Sequence, residues 1–86
     1  MNADDLNFSN EDISFINERY PMVDTENLQL PIMGLSTISS LDYLESTIKF
    51  DLEHKNFENT PSPLAALNRC KEIKEKIERY RETHNG

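Results

Sequence analysis

Glycine is nearly missing from this chain: Gly34 and Gly86 are its two examples in 86 residues. With no glycine-rich turn between a strand and a helix, the backbone offers no phosphate cradle of the P-loop or dinucleotide-binding kind. Cysteine occurs once, as Cys70, so no internal disulfide forms, and no apolar run is long enough for a signal peptide or a transmembrane helix. These two absences set the expectation of a cytoplasmic protein in a reducing compartment, with no membrane partner. His54, Cys70 and His84 are scattered, which excludes metal-ligand spacing. Asp51 and Glu53 point to different sides of a helix and make no paired-carboxylate site. The serines sit at helix starts, where capping explains them. Nothing here holds a nucleophile against a base, so the chain is expected to be no enzyme and to need no cofactor.

Basic residues are scarce in one half only. Residues 1–40 hold seven acids (Asp4, Asp5, Glu11, Asp12, Glu18, Asp24 and Glu26) against a single base, Arg19. From Pro61 onward there are six bases and four acids, and the whole chain carries −7 at pH 7. Such a charge drives the molecule away from nucleic acid and anionic membrane and towards basic surfaces. In the last helix, bases from Arg69 to Arg81 alternate with Glu72, Glu75, Glu78 and Glu82. Their fields largely cancel, so direct nucleic-acid binding is not expected. A nucleic-acid mimic is compatible with −7, although the acids form no regular run. Two readings of the acidic half stand: a face for a basic partner, and ordinary solubilising charge.

What the chain does contain is helical periodicity, in a length that makes one small domain spanning 1–86. A first helix is expected over about 9–20. Ser9 is a fitting N-cap, Asp12 stands in for the Glu of a capping box, and Phe8 with Ile13 makes a hydrophobic staple. Pro21 stops it near Arg19 or Tyr20. Residues 1–7 are polar and are expected to fray. A second helix over about 40–56 starts at Ser39, with Asp42 in the capping-box position. A third over about 63–83 starts with Ser62 as N-cap and Pro63 at the first helical position. Ala66, Cys70, Ile73, Ile77 and Tyr80 give it a narrow apolar seam. Its flanks predict i,i+4 pairs such as Glu72–Lys76 and Lys74–Glu78. The short turn before it makes the last two helices antiparallel. The fold expected is therefore all-α: a short N-terminal helix, an irregular apolar connection and a long antiparallel helical hairpin.

The middle helix carries the functional question. At about 100° per residue, Leu41, Leu44, Ile48 and Leu52 fall on one side, while Tyr43, Phe50 and, if the helix runs on, Phe57 fall roughly opposite. The first stripe belongs to the C-terminal seam. The second has two claimants. The first helix and the apolar connection from Met22 to Ile38 can cover it, or a partner can. The connection, with Leu28, Leu30, Ile32, Met33 and Leu35, is too apolar for a solvated linker. Interfaces place aromatics and Met at their centres with a polar rim. The residues expected to bind a partner are thus Tyr43, Phe50, Phe57, Leu30, Ile32, Met33, Asp24 and Glu26. The leading expectation is a non-enzymatic acidic module that binds and modulates or inhibits a larger, basic protein. In size and acidity the chain is similar to small inhibitory proteins such as nuclease immunity proteins and antitoxins. The alternative is a homo-oligomer in which the second stripe pairs with its own copy.

Overall fold

The computed structural model describes residues 3–32 and 37–84. The protein is all-α, with helices α1 (Asn10–Arg19), α2 (Ser40–His54) and α3 (Pro63–His84), preceded by a 3₁₀ turn at Ala3–Leu6. Among the described residues there is no strand; an isolated antiparallel bridge joins Pro31 and Ser39. None of the described helices is long and apolar enough to cross a membrane.

Local chemistry explains each helix end. The Ser9 hydroxyl accepts the Asp12 N–H at 3.1 Å, and the Asp12 carboxylate accepts the Ser9 N–H at 2.9 Å, so the capping box is complete with aspartate in place of glutamate. At α2 one half of the expected box forms: Ser39 Oγ accepts the Asp42 N–H at 3.1 Å, while the Asp42 carboxylate accepts from Arg81 instead. The acceptors for the next orphan donors of α2 come from the chain before it. Ser40 N–H donates to the Leu30 carbonyl at 2.7 Å and Leu41 N–H to the Leu28 carbonyl at 2.9 Å. The connection is therefore a cap made of backbone as well as a packing segment, with Val23 and Leu28 buried. Ile32 N–H continues the pairing to the Ile38 carbonyl at 3.3 Å.

Two expectations need correction. Residues 1–7 do not all fray: the 3₁₀ turn docks on α3 and buries Leu6. Asn7, at φ 64°, turns the chain from it into the α1 cap, a left-handed conformation that Asn tolerates well. The second helix also ends earlier than 56. It stops at His54, where Lys55 adopts the left-handed region at φ 52° and returns its N–H to the Asp51 carbonyl.

α3 is the element on which the rest is built, in contact with the 3₁₀ turn, α1 and α2. Arg81, late in α3, pairs with Asp42 and Glu45 at the start of α2 (2.6 and 3.0 Å). Cys70, early in α3, lies 3.6 Å from the Tyr20 hydroxyl, which bonds Asp51 near the end of α2. The two helices thus run antiparallel. Ile16 of α1, Leu44 and Ile48 of α2, and Cys70, Ile73 and Ile77 of α3 are fully buried, with Tyr20, Val23, Leu28 and Phe57 around them.

Candidate interaction surface

The aromatic stripe expected on the middle helix does not exist as one surface. Tyr43 is half-buried against the core. Phe50 is 55% exposed, its ring 4.2 Å from that of His54. Phe57 is 3% exposed. Because α2 ends before it, Phe57 leaves the helical register and drops into the core, with the Arg19 guanidinium 4.8 Å above its ring. Leu30 is exposed at 46%, Ile32 is half-buried, and Met33 lies outside the described residues. Asp24 is half-buried, and its carboxylate accepts the Glu26 and Asn27 N–H groups (3.0 and 3.1 Å), which fixes a turn. Glu26 is exposed. The structure brings Leu30 and Ile32 together beside the start of α2. Phe50 is ten residues further along α2 from Ser40, about 15 Å away along the axis.

Two buried ionic clusters replace what sequence reasoning treated as surface charge. Asp12 is fully buried and accepts from Lys76 at 2.6 Å and Arg69 at 2.8 Å. Burial alone pushes its carboxyl up, but the hydrogen bonds from Lys76, the Ser9 amide and Arg69 outweigh it and hold it below its ordinary value. Lys76 therefore does not serve Glu72, which pairs with Arg69 at 2.9 Å, whereas the expected Lys74–Glu78 pair forms at 3.1 Å. In the second cluster Asp51 accepts from the Tyr20 hydroxyl (2.6 Å), Arg19 Nε (3.2 Å) and Asn56 Nδ2 (3.3 Å). Arg19 Nη2 also donates to the Asn56 carbonyl. Burial, then the hydrogen bond to Asp51, pushes the Tyr20 hydroxyl far up, and burial likewise raises the Cys70 thiol. The Tyr20 hydroxyl and the two carboxylates, surrounded by donors, tie helices together. The one sequence signal for the second cluster was the isolation of Arg19 as the sole base of its half. Among the described residues no three His, Cys, Asp or Glu side chains gather as a metal site.

A separate concavity lies between α1 and the first half of α3, closed at one side by the 59–62 turn. It is an open groove of about 800 Å³. Phe15, Pro61, Ala65 and Ala66 give it an apolar lining, and Glu11 and Glu18 stand along its α1 edge. Sequence reasoning missed it, since it arises from packing two helices that are distant in the chain. Compared with family models, curated proteins and solved structures, the chain matches none.

Proposed function

We propose that this protein is a non-enzymatic binding module that engages a larger, basic protein and modulates or blocks it. The observation that supports this reading is how the amino-terminal charge is disposed. Arg19, the one base of the first 40 residues, is turned inward to Asp51. Of the acids there, Asp12 is buried in its own ion cluster and Asp24 is engaged in a turn. Glu11, Glu18 and Glu26 remain on the surface. Their field is not cancelled by any base of that segment, and it steers a basic partner to this side of the molecule.

Affinity capture at low and high salt (about 50 and 300 mM) tests the reading, because exposed charge pairs are screened across that range. A basic protein held at low salt, released at high salt and weakened by Glu18→Lys is the expected result. A monomer that captures no basic protein at low salt contradicts it. A second reading, self-association, is favoured by the exposure of Phe50. Mass measured against concentration separates the two, since Phe50→Asp dissociates a self-assembly and leaves a hetero-complex of the acidic side intact.

A further inference from the structure

We propose that the groove between α1 and the first half of α3 is the partner's seat, and that it takes an amphipathic helix with aliphatic side chains on one face and lysine or arginine along its edge. This rests on the binding reading above and gives it a location. The groove is walled by α1, the start of α3 and the 59–62 turn, and no sheet edge lines it, so recognition runs mainly through side chains. That matches a helix presenting anchors at i, i+3 or i+4 and i+7, rather than a strand added to a sheet edge.

The lining suits aliphatic anchors. Ala65 is exposed and Ala66 is small, so the α3 wall leaves room opposite Phe15. Phe15 is held in place by its edge-on contact with Tyr20 (6.3 Å, 76°). Tyr20 is in turn fixed by Asp51. A floor ordered before binding lowers the entropy lost on docking.

Charge selects the occupant. Glu11 and Glu18 are seven residues apart on one face of α1, about 10.5 Å along its axis. The two cations that border the groove are paired, Arg19 with Asp51 and Arg69 with Asp12 and Glu72, and Arg69 also lies in the field of Glu11. Around the groove the five acids Glu11, Asp12, Glu18, Asp51 and Glu72 outnumber the three bases Arg19, Arg69 and Lys76, so the rim keeps an acidic excess, with Glu18 on its surface, and a basic residue at the edge of a partner helix complements it. A second copy would bring its own acidic α1 edge and a net charge of −7.

The test uses the full-length chain and a labelled peptide of about 15 residues, long enough to form a helix, with leucines at helical spacing and flanking lysines. A scrambled peptide of the same composition is the control, and binding is read by fluorescence anisotropy at low salt. The ordered peptide should bind at least about tenfold tighter than the scrambled one. Ala65→Trp, which fills the groove from an exposed position, and Glu18→Lys should each weaken binding about tenfold or more, with the thermal melt of Ala65→Trp unchanged. Phe50→Ser should have no effect. If both peptides bind equally and Ala65→Trp changes nothing, the groove is ruled out while the acidic-module reading survives. If neither peptide binds at millimolar concentration, the groove proposal is overturned, while the acidic-module reading is decided by the salt-dependent capture of a basic protein. A concentration-dependent doubling of mass that Ala65→Trp abolishes makes a second copy the occupant and also overturns the proposal.

Discussion

Asp12 is where the tension between burial and charge is sharpest. A fully buried carboxylate is tolerable here because three donors converge on it: the Ser9 amide, Lys76 and Arg69. Asp12→Asn removes one charge, takes the anionic partner from Lys76 and leaves Arg69 with Glu72 alone. Both cations reach solvent in part, which moderates the cost, so urea denaturation should show a loss of about 2–3 kcal/mol. The pH dependence follows from the same bonds. The folded carboxyl titrates below its ordinary value of 3.8, so the unfolded chain takes up the proton first as pH falls. Stability contributed by this group is complete above about pH 4 and is lost as pH drops through the folded value, and Asp12→Asn should flatten that acid limb. Tyr20→Phe removes a charge-assisted donor from Asp51 and should lower stability by about 1–2 kcal/mol in the same assay. The capping role of Asp12 was legible three residues from Ser9. Its two cations lie 57 and 64 residues away along the chain and were not.

At the scale of elements, periodicity and caps located all three helices because both are local signals. α2 ends at His54, one to two residues before the expected Lys55 or Asn56, and no glycine marks the stop: Lys55 holds a left-handed conformation that a Cβ disfavours. Lys55→Gly should therefore stabilise the protein by about 0.5–1 kcal/mol, measured by thermal or chemical melts. The spacing of seven from Phe50 puts Phe57 on the helical stripe only in a helix that runs on, and α2 stops short of it. Phe57→Ala should cost about 3–4 kcal/mol, since it empties a core site under Arg19. Phe50→Ser should stay within about 0.5 kcal/mol of the parent chain. Part of the connection packs as its apolar content suggests. Its supply of carbonyls to the first N–H groups of α2 is backbone pairing that no side-chain pattern announces.

For the molecule as a whole, charge and packing divide the labour along the chain. α3 gathers the 3₁₀ turn, α1 and α2 around one core, and its bases Arg69, Lys76 and Arg81 each tie down an acid from an earlier element. That use of the C-terminal bases as internal clamps leaves the surface acids of α1 to face outward. The radius of gyration, 12.4 Å, matches the roughly 12 Å of a packed domain of this length. The account's central claim is that recognition is acidic and centred on α1 and the start of α3. Amide chemical-shift mapping of the isotope-labelled protein, titrated at low salt with the leucine–lysine helical peptide, tests it most directly. The account predicts saturable shifts concentrated in residues 10–19 and 59–69. Shifts centred on Phe50 or on Leu30 and Ile32, or no shifts at all, would contradict it.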